Sequence, residues 1–220
     1  MKWDNWVTDW KTTEEQRASY DGWQPMFPGS MFGGPSFVQY GKDNAGATDG
    51  YVYAVSGDQW DNGRFLRLGR VPKNQIMQKN AWEFARLDKK GDPTWHKDIN
   101  DSGPILDIEG HISLPEMVYI AAVKKYILLT WGLHSDFNQY SGSELTILEA
   151  DNPWGPFKLL HYEWMWIHRA NCPYTPRIPL KWYNAEENTG YILHSGRWGS
   201  DEYYRPQARK FRLGKVSQKL

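Results

Sequence analysis

Apolar residues in this chain come in short bursts, and from residue 35 onward the bursts alternate with polar positions at a spacing of two. That period places side chains alternately on the two faces of a strand, whereas a helix needs spacings of three and four. PSFVQYG (35–41), YVYAVSG (51–57) and RFLRLGRV (64–71) read as the first strands, with a turn-rich stretch between the first two. KNQIMQKNAWEFARL (73–87) suits a short helix with Trp82–Leu87 as its tail or as an outer strand, and DKKGDPTWHKDINDSG (88–103) reads as loop by composition. The centre of the chain is LDIEGHISLPEMVYIAAVKKYILLTW (106–131), in which MVYIAA and YILLTW predict two buried strands joined by a tight turn. GSELTILEA, the turn DNPWGP, FKLLHYEWMW, TPRIPLKW, the turn NAEENTG, YILHSGRW and ARKFRL complete the pattern. The first 32 residues carry Trp3, Trp6 and Trp10 and a polar segment with room for one or two helical turns, and otherwise read as connection.

No helix longer than two or three turns is expected. About fourteen strands, grouped by turns into units of roughly 40 to 50 residues, predict an all-β chain with the four-stranded antiparallel blades of a β-propeller. That count gives about three to four blades, fewer than a closed ring, so the propeller is expected to be incomplete. The whole chain, residues 1–220, reads as a single propeller-like domain. A β-sandwich shares the same short strands and frequent turns and stays open as an alternative.

The candidate chemistry gathers at the central hairpin. Glu116 follows Pro115, a residue tolerated at the first position of a strand, so the carboxylate stands at a strand mouth. Partial desolvation there raises a carboxyl pKa, which is the setting of a general acid. Asp107 and Glu109 are two apart and share one strand face, so one of them is expected to have its pKa pushed up by the other. Asp43, in a Gly-rich loop, is a further carboxylate candidate, with a turn-forming hydrogen bond as its other role. His111 and His134 flank the hairpin and are candidates for hydrogen bonding or proton transfer. Arg177, Lys181, His194 and Arg197 lie on two neighbouring segments and suit contacts to hydroxyls or to a uronic carboxylate. Ser195 lacks the frame of a nucleophile elbow, and the Gly-rich stretches open no helix, so neither acyl transfer nor phosphate cradling is indicated.

Composition sharpens this picture at one point. Thirteen Trp and thirteen Tyr supply many flat apolar faces with a polar handle, a surface suited to sugar rings or to packing between sheets. Lys plus Arg balance Asp plus Glu at 26 each, which gives no steering toward nucleic acid or an anionic membrane. The single cysteine, Cys172, forms no intramolecular disulfide, and no spacing of His and Cys suggests a transition-metal site. No cofactor is expected, although a structural calcium or sodium ion is compatible with a propeller channel. No apolar run is long enough to span a bilayer, and MKWDNWVTDW lacks the pattern of a signal peptide. The chain as given reads as soluble.

PSFVQYGKDNAGATDGYVYAVSGD with FLRLGRVPKNQIMQKNAWEF, LPEMVYIAAVKKYILLTW, SELTILEADNPWGPFKLL and RIPLKWYNAEENTGYILHSG together resemble five-bladed β-propeller proteins. These are the arabinan- and xylan-cleaving glycoside hydrolases and a related domain of unknown function, and the resemblance runs from about Trp6 to Leu213. It implies that Glu116, which opens a strand in PEMVYI in a place similar to the family's Glu-x-x-x-Tyr, is the general acid, and that Trp131, Tyr119 and Trp198 offer stacking faces. Two features depart from the family. Gly34 stands in Gly-Gly-Pro-Ser where those enzymes have an Asp that tunes the acid, and the likeness begins near the end of what resembles a second blade, without the first-blade carboxylate base. The expectation is a glycoside-hydrolase-like protein acting on plant-type polysaccharides, with Asp107 or Glu109 assisting Glu116. A non-catalytic carbohydrate-binding propeller is the alternative, and a structural module pairing with a second copy through an open edge is a third. The compartment is left open by the sequence, and the resemblance is compatible with a secreted or periplasmic location.

Overall fold

The computed structural model describes Phe27 and residues 31–41, 44–136, 139–169 and 171–214. The N-terminal tryptophans and Asp43 lie outside the described residues. Among those described, thirteen strands form three antiparallel sheets that follow one another along the chain. The first holds β1 (Ser36–Phe37), β2 (Tyr51–Gly57), β3 (Gly63–Pro72), β4 (Glu83–Leu87), β5 (Pro93–His96) and β6 (Leu106–Ile112). The edge of β3 away from β2 is shared: Gly69 and Arg70 pair with β4, while Gly63 to Leu66 pair with β6. The second sheet is a four-stranded meander of β7 (Glu116–Ile120), β8 (Lys125–Asp136), β9 (Gln139–Ala150) and β10 (Lys158–Glu163). The third holds β11 (Tyr174–Arg177), β12 (Thr189–Ser195) and β13 (Gln207–Arg212).

The apolar runs of the central hairpin are buried on both faces, and this is what stacks the sheets. Met117 and Leu128 pack with Val55, Leu66, Leu68 and Ile112 of the first sheet. Their neighbours Val118, Ile127 and Leu129 pack with Ile178 and Ile192 of the third. Alternation along β7 and β8 thus makes the second sheet the middle layer. The segment after β1 stitches the first two sheets together at their inner side. Gln39 donates its N–H to Met117 and accepts from Tyr119, a parallel bridge at the free edge of β7. Successive antiparallel sheets packed face to face, each starting from an inner strand, are the blades of a β-propeller.

The blades depart from the expected four strands apiece, since they hold six, four and three. The loop expected at 88–103 contains β5, opened by Pro93 at a sheet edge where its missing N–H costs no ladder bond. The helix expected within 73–87 is a single 3-10 turn at Lys79–Ala81, and Trp82 then seats in an aromatic cluster with Phe27, Phe32 and Phe84 on the outer face of the first sheet. Trp82 is locked there by its indole N–H, which donates to the Ile76 carbonyl. No helix among the described residues is long and apolar enough to cross a membrane.

Candidate functional site

Glu116 opens β7, the inner strand of the middle sheet, and its side chain is only 1% exposed. Alternation turns it to the same face as Val118 and Ile120, toward the third sheet. Its Oε2 accepts the Ile178 N–H at 2.5 Å and its Oε1 accepts the Gln39 side-chain amide at 2.7 Å. Arg177 lies alongside and donates to the Pro115 carbonyl at 3.0 Å. Burial pushes the Glu116 carboxyl up from 4.5 to about 7, against the opposing pull of the Ile178 N–H and the Arg177 charge. The same burial pulls the Arg177 guanidinium down.

Directly beyond the mouth of β7 lies an aromatic cleft of about 340 Å³, walled by Trp60, Trp131, Leu133, Tyr174, Trp198 and Tyr204, with Cys172 and Arg197 completing it. Two hydrogen bonds and one strand register relate this cleft to Glu116. The Leu114 N–H reaches the Trp60 carbonyl, Arg177 on β11 reaches Pro115, and Trp131 stands two residues beyond Leu129, the cross-strand partner of Glu116. Trp131 is fully buried and forms the floor, with the Trp60 ring at 5.9 Å and the Tyr174 ring at 5.8 Å. Trp198 at 77%, Trp60 at 54% and Tyr204 at 52% exposure stand around it. Such exposure of large rings around a buried aromatic floor leaves apolar surface for a ligand to cover.

A second polar cluster occupies the seam between the first two sheets at the same end. Glu144 on β9 is buried, and its two oxygens are held by His111 Nδ1 from β6 and by the Tyr162 hydroxyl from β10, the latter at 2.7 Å. Burial and the neighbouring carboxylate push the Tyr162 phenol up to about 12. Glu144 pairs across the ladder with Gly132, where an added Cβ would lie 3.0 Å from its carboxylate. A larger residue at position 132 would therefore crowd the carboxylate behind the cleft wall formed by Trp131 and Leu133. The sequence reading missed Glu144. Its signal was a charged residue in the middle of the GSELTILEA strand, which needs a partner if its face is buried.

The remaining expected site residues divide. Arg177, Trp131, Arg197 and Trp198 gather at the cleft and at Glu116. His134 lies near the rim: its Nε2 is 2.8 Å from the Trp164 carbonyl and its ring packs on the Trp164 indole at 3.9 Å. Asp107 and Glu109 do share a face, but Arg64 takes both, so they sit in an exposed ion-pair cluster away from Glu116. The guanidinium holds Asp107 below the usual carboxylate range, opposite to the mutual repulsion expected of the pair. Tyr119 points to the first sheet, where it packs on Tyr40 and Tyr126, because its position in β7 is out of phase with Glu116. His194 is buried under Trp166 and its pKa is lowered by desolvation. Lys181 is exposed beside Trp182. At Gly34 a Cβ would meet the Leu114 side chain at 3.3 Å, so an acidic side chain there would crowd Leu114.

The two buried carboxylates, Glu116 and Glu144, lie on opposite faces of the middle sheet. They do not form the facing pair, about 5 to 9 Å apart across a sugar, that glycoside hydrolysis uses. Among the described residues no group of three His, Cys, Asp or Glu is placed to hold a metal ion.

No family model matches the chain, and neither does any curated protein. Solved structures do align with it. One is an endo-arabinase from Bacteroides thetaiotaomicron, at 15% identity and a TM-score of 0.45 over 82% of this chain and 50% of that one. Another is an exo-β-1,3-galactanase from Clostridium thermocellum, at 11% and 0.45 over 75% and 32%. A third is an endo-1,5-α-L-arabinanase from Thermotoga petrophila, at 13% and 0.44 over 85% and 39%. The chain spans half or less of the length of each of these three structures.

Proposed function

We propose that this chain is the carbohydrate-binding part of a glycoside-hydrolase-like propeller, taking a plant-type glycan into the aromatic cleft above Glu116. The observation that carries this reading is the cleft itself, a buried Trp131 floor surrounded by the exposed rings of Trp60, Trp198 and Tyr204. Pyranose and furanose rings present apolar C–H faces that stack on such rings, while their hydroxyls reach the phenol and indole handles. Glu116 sits below the cleft with both oxygens occupied, so it supports the floor and does not meet the ligand directly.

The hydrolytic reading keeps one specific support. A carboxyl raised to about 7 is still protonated when a leaving oxygen must be protonated near neutral pH. The partner carboxylate that such chemistry requires is not beside Glu116 among the described residues.

Calorimetric titration of the chain with arabinan, xylan and galactan oligosaccharides, alongside sugar-release assays, separates the two. Binding that Trp198→Ala weakens about tenfold or more, that Glu116→Gln retains, and that is accompanied by no sugar release supports the binding reading. Sugar release by the parent that Glu116→Gln abolishes would establish the hydrolase instead. Absence of any binding would overturn both.

A further inference from the structure

The cleft holds one charged group, and its chemistry narrows the ligand. Arg197 lines the cleft between Tyr174 and Trp198, and no carboxylate is among the other lining residues. Among the described residues no Asp or Glu forms an ion pair with Arg197. Arg64 and Arg209, by contrast, are taken by carboxylates, Arg64 by Asp107 and Glu109 and Arg209 by Glu163. The two acids nearest Arg197 along the chain, Asp201 and Glu202, are exposed on the loop and line no part of the cleft.

Arg197 is also held in place. Its N–H donates to the Asn171 carbonyl at 2.5 Å. The preceding Gly196 lies so close to two neighbouring turns that a Cβ there would come within 2.5 Å of the Tyr203 carbonyl and 3.0 Å of the Asn171 carbonyl. Gln207 closes the loop from the other side by donating to Tyr203 at 3.0 Å. Its charge is felt inside the cleft wall, where it opposes the burial that raises the Cys172 thiol. A guanidinium anchored at its backbone, lining an aromatic cleft and left without a carboxylate among the described residues, is complementary to a planar carboxylate carried on a sugar ring.

We propose that the cleft selects uronic-acid-containing glycans, with Arg197 binding the uronate carboxylate and the exposed Trp60 and Trp198 faces binding the ring above the Trp131 floor. This rests on the carbohydrate-binding reading and narrows it from glycans in general to acidic ones. Arg197 is a specificity-determining residue in this account, since the aromatic walls accept a neutral ring equally well.

The test compares oligogalacturonides with their methyl esters, which keep the ring and remove the charge, by calorimetric titration. A parallel pair is xylo-oligosaccharide with and without glucuronate branches. The expected result is that at least one acid binds about tenfold or more tighter than its neutral counterpart. That advantage should shrink when salt is raised from about 20 mM to about 500 mM. Arg197→Gln should bring the acid down to the level of the neutral sugar, and a urea-unfolding midpoint equal to the parent's shows that the variant is folded. Arg197→Lys should keep part of the preference, because an ammonium supplies charge without the planar fork. Equal affinity of acid and neutral forms in both pairs overturns the acidic preference and leaves carbohydrate binding standing, as does an equal loss of both on Arg197→Gln. Binding of none of the four sugars overturns both.

Discussion

Glu116 carries the most distinctive electrostatics in the molecule. Its carboxyl is raised to about 7 in the folded chain and titrates near 4.5 when exposed. Between those values the unfolded chain has lost the proton that the folded chain keeps, so stability falls as pH rises from about 4.5 to about 7 and levels off above. The full span corresponds to roughly 3 kcal/mol. Glu116→Gln removes the ionisable group while its amide oxygen still accepts the Ile178 N–H. Urea unfolding of parent and variant at pH 5 and pH 7.5 is expected to show a smaller pH-dependent loss in the variant, and an equal loss in both would contradict the burial argument. Glu144 is held by two side chains, His111 and Tyr162. Tyr162→Phe deletes one donor to a buried carboxylate and should cost on the order of 1 to 2 kcal/mol in the same measurement. No loss would mean that water replaces the phenol.

At the scale of elements, the central hairpin shows what the residue pattern could and could not convey. Two apolar runs without alternation predict strands buried on both faces, and β7 and β8 are buried on both. Leu128 and Leu129 are adjacent yet belong to different cores, one toward the first sheet and one toward the third. Each is fully buried, so Leu128→Ala and Leu129→Ala should each cost about 2 to 5 kcal/mol in urea unfolding. A negligible cost at one of them would mean that its flanking sheet does not pack there. The position of Glu116 at the strand mouth was legible because Pro115 marks it. The fate of Asp107 and Glu109 was not, since their partner Arg64 lies about forty residues upstream on a strand that pairs with theirs. Likewise β5 was hidden in a polar, Gly- and Pro-containing stretch, where only pairing with β4 makes a strand of Pro93–His96. Glu144 escaped notice because sequence spacing says nothing of which side chains face it across two sheets.

For the molecule as a whole, stacking the three sheets brings their site-bearing strand ends to one side. There the connection between β2 and β3, the C-terminal half of β8 and the loops around β11 and β12 place tryptophans far apart in sequence around a shared floor. Trp82, Trp95 and Trp166 sit outside the cleft, in the outer cluster of the first sheet, beside Tyr53 and Arg70, and against His194 respectively. This division gives the central claim a direct readout, the indole N–H resonances of the labelled chain during titration with acidic and neutral plant oligosaccharides, each signal assigned by a Trp→Phe variant. Trp60, Trp131 and Trp198 are expected to shift together and to saturate with one affinity, while Trp82, Trp95 and Trp166 stay in place. Shifts confined to tryptophans outside the cleft, or no shift with any oligosaccharide, would contradict carbohydrate binding at this cleft.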